Sequence, residues 1–118
     1  MNTVKFIGNA GKEARITTLP SGDIVANFNM ATSETFINRE GIQQTKTEWH
    51  PIVAWGKTAE AVRNHLKKGS HVVVKAKAIN RTYKKEIEVP VTKTKSVKHE
   101  IDVYVTEYQA YDITVYNY

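Results

Sequence analysis

The sequence contains no cysteine and only three prolines and six glycines among its 118 residues. Without cysteine, disulfide bonds and thiolate metal sites are excluded, and a reducing compartment such as the cytoplasm suits the chain. No apolar run approaches the ~20 residues that a membrane-spanning helix requires, and no signal-peptide pattern opens the chain. The length suits one domain, which we expect to extend over residues 1–118.

Acidic residues are also scarce, since 12 aspartates and glutamates stand against 17 lysines and arginines, for a net charge of +5. The two signs are unevenly placed: residues 1–99 carry +9 and residues 100–118 carry −4. A basic body favours a polyanionic partner. The alternative interpretation is a solvated, lysine-rich surface without a function.

The most informative segment is Thr47–Lys57, which is typical of a strand and contains Trp49 and Trp55. Side chains six residues apart on a regular strand point to the same face. That face would carry two large rings followed by Lys57, an arrangement that suits stacking of bases next to anionic phosphates. The alternative is that both tryptophans belong to the core, where strand tryptophans are usually found.

A single helix is predicted from Lys57 to Lys68. Its apolar stripe is formed by Ala59, Val62 and Leu66. Lys67 and Lys68 would then lie in the last turn, where they complement the helix dipole, and Gly69 would cap the C-terminus.

Alternation of apolar and polar residues predicts strands before and after this helix. The first strand begins at Val4, and Gly8 and Gly11 suit a bulge or sharp bend in it. Arg81–Lys85 is predicted to enter a hairpin or loop, and Tyr108–Tyr116 to form a last short strand. Further strands are expected around Ile24–Ala31, Thr47–Trp55, His71–Ile79, Ile87–Val91 and Ile101–Val105. Three strands, one helix and at least two more strands are the order of an all-β, five-stranded Greek-key OB-fold barrel with one short helix between strands 3 and 4.

The sequence contains, in this order, the segments Val4–Gly11, Leu19–Gly22, Val25–Glu34, Thr47–His50, Trp55–Glu60 and Lys68–Val72. Together they resemble the bacterial single-stranded DNA-binding protein family. The resemblance covers residues 2–83 almost without gaps and is looser afterwards, although Glu100–Val103 is similar to the family's fifth strand. It implies sequence-tolerant binding and protection of single-stranded DNA in replication, recombination and repair, by a cytoplasmic, nucleoid-associated homotetramer, with a dimer as second choice.

The resemblance also implies which side chains contact the DNA. Base-stacking aromatic residues fall at Phe36, Trp49, Trp55 and Tyr83, and phosphate-contacting basic residues at Arg39, Lys57 and Lys68. The basic residues Arg81, Lys84 and Lys85 flank Tyr83 and are predicted to contact DNA with it. His50 corresponds to a family position near the subunit interface, so we assign it to assembly.

The sequence departs from the family in four places, the first being Ala76, which stands where the family usually has glycine in the fourth strand. Pro51 replaces an arginine inside the third strand, and because proline cannot donate to a ladder, this position must be an edge or a bulge. The segment after Tyr83 is longer and more lysine-rich than usual, which predicts a long basic hairpin. The family's flexible tail with an acidic tip does not follow residue 118 in this sequence, which is either a truncated or a natural short form, so recruitment of replication proteins through a tail is left open.

Two other functions stay open at this point. The first is an OB-fold primosome or replication accessory protein that acts mainly through protein partners. The second is an OB-fold nuclease, which would require a clustered metal or carboxylate–arginine site. His65, His71 and His99 show no zinc spacing, and no phosphate-binding glycine loop or nucleophile elbow is present. We therefore predict a protein without enzyme activity, catalytic residues, metal or cofactor.

Overall fold

The computed structural model describes residues 1–117. No helix within this range is long and apolar enough to cross a membrane. The elements are β1 (Val4–Ala10), β2 (Arg15–Thr18), β3 (Ile24–Ile37), β4 (Gln43–Trp55), α1 (Gly56–His65), β5 (His71–Pro90) and β6 (Ser96–Tyr116).

Five of the strands close into a barrel. The order is β1-β5-β6-β4-β3, and β3 pairs again with β1 through Asn9–Ala31 and Ala10–Met30. All of these pairs are antiparallel except β4–β6, and β2 lies on β3 as a short additional strand. Because α1 follows β4, it lies between the third and fourth barrel strands. This is the predicted OB-fold.

The first strand is interrupted, as its glycines predicted. β1 ends at Ala10 and β2 starts at Arg15. The chain turns away at Gly11, whose N–H donates to the carbonyl of Asn29 at 2.8 Å. The break places the polar residues after Gly11 at the rim of the barrel, next to β3.

The core lies inside the barrel and under α1. The predicted helix stripe is confirmed, because Ala59, Val62 and Leu66 are all buried against the barrel. The other buried members of this cluster are Ala10, Ala26, Phe28, Met30, Ile52, Ala54, Val72, Val74, Ala76 and Ala110.

The predicted end of the helix is wrong by almost one turn. The helix ends at His65, and Leu66 is extended, with φ −75° and ψ 129°. Lys67 and Lys68 therefore follow the helix instead of forming its last turn. The helix ends before Lys67 because the buried Ser70 closes a turn there. The N–H of Lys67 donates a hydrogen bond to Ser70 Oγ at 2.9 Å. Gly69, at φ 81°, belongs to this turn and does not cap the helix.

The long hairpin predicted after Tyr83 is confirmed, but the predicted break in the strands before it is wrong. Arg81–Lys85 and Tyr108–Tyr116 belong to two strands of 20 and 21 residues, which pair from His71–Tyr116 out to Pro90–Ser96. Only a bulge that leaves Tyr111 unpaired interrupts the ladder. Alternating β-branched residues on both strands favour this continuous pairing over a loop.

Pro51 lies at an edge, as its chemistry requires. It pairs with Asn29 of β3, whereas β4 pairs with β6 only over Ile52–Ala54. On the β6 side of β4, Pro51 therefore has no paired strand. The absence of an N–H on proline costs no hydrogen bond on that side.

Candidate nucleic-acid interface

The outer face of β4 carries both tryptophans. Ile52 and Ala54 point inward and are buried, whereas Trp49 is 59% exposed and Trp55 is 46% exposed. The prediction that the two rings share a face is confirmed by this alternation. The alternative that they form the core is wrong. The strand contributes to the core through its other face, which carries Ile52 and Ala54.

Trp49 lies in a groove at the break between β1 and β2. Its indole packs over Gly11, where an added Cβ would lie 2.8 Å from Cζ3. The groove is also lined by Lys12, Arg15 and Lys68. One flank of the ring is thus covered by backbone, and the groove contains these three cations together with one carboxylate, that of Glu13.

Trp55 lies in a second groove that continues the first. Asn27 lines both grooves. The second is closed by Ile79 and Arg81 of β5 and by Glu107 of β6. Arg81 Nε lies 2.9 Å from Glu107 Oε1, so part of its charge is balanced within the protein.

A third groove adjoins the first on its other side. Lys68 and Gly69 line both of them, and Lys67, His71 and Tyr116 line only the third. The three grooves together form one basic, aromatic path across the surface from His71 past both tryptophans to Arg81.

Sequence reasoning missed Lys12, Arg15 and Lys67 as members of this path. The first two follow Gly11 directly, and the predicted break in the first strand was the signal that could have placed them beside the β4 face. Lys67 was assigned to the helix, and only the early end of α1 brings it to the groove wall.

Lys57 lies in the first turn of α1, immediately after Trp55. This turn contains no acidic residue. The lysine charge therefore adds to the partial positive charge of the helix N-terminus, and the surface beside the Trp55 ring is electropositive.

The predicted residues of the β5 strand separate onto two faces. Arg81, Tyr83 and Lys85 alternate on the face that begins in the Trp55 groove, and Tyr83 is 44% exposed. Lys84 points to the opposite face, with Nζ 3.8 Å from Glu100 Oε1.

Phe36 and Arg39 lie on the β3–β4 hairpin, away from the grooves. Phe36 is 46% exposed and pairs with Gln44, whereas Trp49 pairs with Ala31. Strict alternation along this ladder puts Phe36 and Trp49 on opposite sides of the hairpin, so the structure does not bring these rings together. Arg39 belongs to the exposed turn that closes the hairpin.

His50 points inward, next to the β1 strand. Its ring stacks on Phe6 with centroids 4.0 Å apart and meets Tyr108 edge-on. Thr32 Oγ1 and His50 Nε2 share a hydrogen bond of 2.8 Å. Burial lowers the pKa of His50, and the negative charge of Glu48 raises it by a smaller amount. The assembly role assigned to His50 stays a prediction.

We expect the protein to lose stability as the pH falls, because of His50. With the folded-state pKa lowered, the unfolded chain binds more protons, so the free energy of unfolding is greatest above about pH 6.5. It decreases as the pH falls through the unfolded and then the folded pKa. Thermal unfolding should be measured at about pH 7.5 and 5.5. The decrease in stability between the two pH values should be smaller in His50→Gln than in the wild type. An equal loss in both proteins would assign the effect to other groups.

Within residues 1–117 no cluster of three or more histidines, aspartates and glutamates is arranged to hold a metal ion. The grooves instead combine exposed rings with lysine and arginine side chains. This surface is suited to contact flat bases and anionic phosphates.

The fold and this surface define an OB-fold protein with an aromatic, basic outer face. Residues 1–104 match the Single-strand binding protein family, and the chain belongs to that family. It is 41% identical over 83 residues to Single-stranded DNA-binding protein 1 of Chlorobaculum tepidum, with 70% of this chain and 51% of that protein covered. It is 39% identical to the single-stranded DNA-binding protein of Neisseria meningitidis serogroup A, with 70% and 48% covered. The chain thus spans about half the length of the curated relatives it matches.

Two solved structures are similar along the whole chain. The Plasmodium falciparum SSB complex with ssDNA has a TM-score of 0.78 and 26% identity, with 99% of this chain and 96% of that one covered. A deletion mutant of the single-stranded DNA binding protein from Thermus aquaticus has a TM-score of 0.74, with 99% and 51% covered. At 19% identity the second likeness supports the fold alone.

Proposed function

We propose that this chain binds single-stranded DNA without sequence preference and protects it. The observation that carries the proposal is the continuous groove in which Trp49 and Trp55 face outward among cations. Family membership supports it, as does the similarity to the Plasmodium falciparum SSB complex with ssDNA. Residues 1–118 act as one binding domain.

Bases stack on the rings, and each stacked ring contributes ~1–3 kcal/mol by the measure of alanine substitution. Phosphates contact the basic residues along the path, which releases counterions and makes binding salt-dependent. The proposed contacts along the path are Trp49, Trp55 and Tyr83 for bases, and Lys12, Arg15, Lys57, Lys67, Lys68, Arg81 and Lys85 for phosphates. Phe36 and Arg39, which lie away from the grooves on the β3–β4 hairpin, are proposed to contact a base and a phosphate of a strand that continues beyond this path. Lys84, expected from the sequence, is left out because it lies on the other face beside Glu100.

Titration with oligo-dT should quench the intrinsic tryptophan fluorescence, because a base stacked on an indole quenches it. Repeating the titration at several salt concentrations should give a log–log slope of about −0.7 for each phosphate neutralised. Saturating binding without quenching would show that neither Trp49 nor Trp55 stacks on DNA. Absence of any binding at low salt would reject the function itself.

The biological setting follows from this chemistry. A sequence-tolerant binder acts wherever DNA is transiently unpaired, and we place the protein in replication, recombination and repair, in the cytoplasm at the nucleoid. It holds the strand without transforming it. Incubation of labelled ssDNA with the protein and magnesium should leave the strand intact.

We propose that the protein assembles as a homotetramer. One OB domain offers a short site of ~4–16 nucleotides, so an assembly lengthens the path available to one strand. Support comes from β1, which pairs with β3 only at Asn9 and Ala10 and leaves the edge from Val4 to Ile7 open on that side. Light scattering should give a mass near four times the 13.4 kDa of the chain. A mass of one chain at micromolar concentration would contradict the assembly.

A further inference from the structure

The turn from Lys67 to Ser70 forms the wall between the first and third grooves. Lys68 and Gly69 line both grooves, and Lys67 lines the third. Both lysines are exposed. Because the helix ends at His65, this turn lies outside its regular hydrogen bonding. The place of the two lysines in the groove wall therefore depends on the contacts that hold the turn.

One side of the turn is held by β1. The N–H of Gly69 donates to the carbonyl of Ala10 at 3.1 Å, and the N–H of Ala10 donates to the carbonyl of Ser70 at 2.8 Å. Asn9 Nδ2 donates to the carbonyl of Gly69 at 3.2 Å. These bonds fix the end of the turn. Its beginning is tied to Ser70, whose N–H donates to the carbonyl of Lys67 at 3.0 Å and whose Oγ accepts the Lys67 N–H.

The other side of the turn is held by Asn117, directly after β6. Its Oδ1 accepts the Ser70 hydroxyl at 2.6 Å, and its Nδ2 donates to the carbonyl of His65 at 2.8 Å. The last carbonyls of a helix have no partner within the helix. One amide side chain thus joins the end of α1 to the hydroxyl that accepts the Lys67 N–H.

We propose that Asn117 is a positioning residue for DNA binding, which holds Lys67 and Lys68 in the groove wall through Ser70. The inference rests on the proposed function. Ser70 is 5% exposed, so water has little access to replace Asn117 as the partner of its hydroxyl. Breaking this bond would leave a buried polar group unsatisfied, which favours a rearrangement of the turn. Asn117 also lies beyond residues 1–104, so the family match does not supply this contact.

Replacing Asn117 by alanine should weaken DNA binding. A turn that moves presents its lysines to the strand only part of the time, and ordering it on binding costs free energy. If one phosphate contact is lost, Asn117→Ala should reduce the log–log salt slope by about 0.7 and weaken binding of oligo-dT by roughly eightfold at about 50 mM salt.

A mutant cycle tests whether Asn117 acts through the lysines. In a Lys67→Gln/Lys68→Gln background, Asn117→Ala should cause no further loss of affinity or slope, because the side chains that it positions are gone. A residue that only supports the fold would cause the same loss in both backgrounds. Equal losses in the two backgrounds would therefore overturn the proposal.

Asn2→Ala is the matched control. Asn2 also ties a segment near one end of the sequence to the barrel, since its Nδ2 donates to the carbonyl of Ala78 at 2.8 Å and its Oδ1 accepts the Ala78 N–H at 3.0 Å. Ala78 lies outside the residues that line the three grooves. Both variants should keep a cooperative thermal transition, and only Asn117→Ala should change DNA binding.

Two results of this comparison would contradict the positioning role. Wild-type affinity and slope in Asn117→Ala would overturn it, and so would an equal loss of affinity in Asn2→Ala. In both cases, binding of oligo-dT by the wild type would still support the proposed function. Absence of binding by the wild type would reject that function instead.

Discussion

Replacing Trp55 by alanine is expected to weaken binding of single-stranded DNA by ~1–3 kcal/mol, or roughly 5- to 150-fold. The ring is 46% exposed on the outer face of β4, and Arg81 of β5 lines the same groove. Removing it takes away a surface on which a base can stack. The inward neighbour Ala54 and the rest of the core are left in place, so the thermal transition should stay cooperative.

Two further variants define the cause of this loss. Trp55→Phe keeps a flat ring and should retain most of the affinity, because stacking depends on the π-face and not on the indole N–H. Trp49→Ala should cost a similar amount, since Trp49 is even more exposed. If Trp55→Ala abolishes the cooperative thermal transition instead, the ring supports the fold, and the groove around it is not the binding surface.

Much of the fold was predictable because its signals are local. Alternation over Ile24–Met30 and valines at positions 72–74 follow directly from strand geometry. The six-residue spacing of Trp49 and Trp55 placed them on one face, and their exposure confirmed that they are not core. The helix stripe of Ala59, Val62 and Leu66 was predictable for the same reason.

The predictions of secondary structure were wrong where a contact between residues distant in sequence determines the conformation. The helix ends early because Ser70 closes a turn and is itself hydrogen-bonded to Asn117 at 2.6 Å, far along the chain. The continuous hairpin depends on pairing of Arg81 with Val105, which no short window of sequence reveals.

The same limit applies to the candidate site. Lys12 and Arg15 meet Trp49 only through barrel closure. Lys84 and Lys85 look equivalent in the sequence, and the register of the hairpin separates them onto different faces. Phe36 is separated from Trp49 in the same way, by its pairing with Gln44.

Gly8→Ala is expected to destabilise the protein by about 2–3 kcal/mol, within the range for overpacking a tight interior. Gly8 lies where β1 crosses β3, and an added Cβ would collide with the carbonyl oxygen of Ala31. That atom belongs to the backbone of a paired strand and cannot rotate away, so β1 and β3 would have to separate. Thermal or denaturant unfolding should show the loss, which is a large share of a typical total of about 5–15 kcal/mol.

Gly11→Ala is the matched control, because the same methyl group meets a side chain instead of backbone. Its Cβ would lie 2.8 Å from Cζ3 of Trp49, and the indole can move by rotating. We expect Gly11→Ala to lose much less stability than Gly8→Ala and to alter oligo-dT affinity and quenching, because the ring is displaced in its groove. If the free energy of unfolding of Gly8→Ala is within about 0.5 kcal/mol of the wild-type value, as for an ordinary surface substitution, the crossing of β1 and β3 is not tight. The closed barrel that positions Trp49 over Gly11 would then have to be reconsidered.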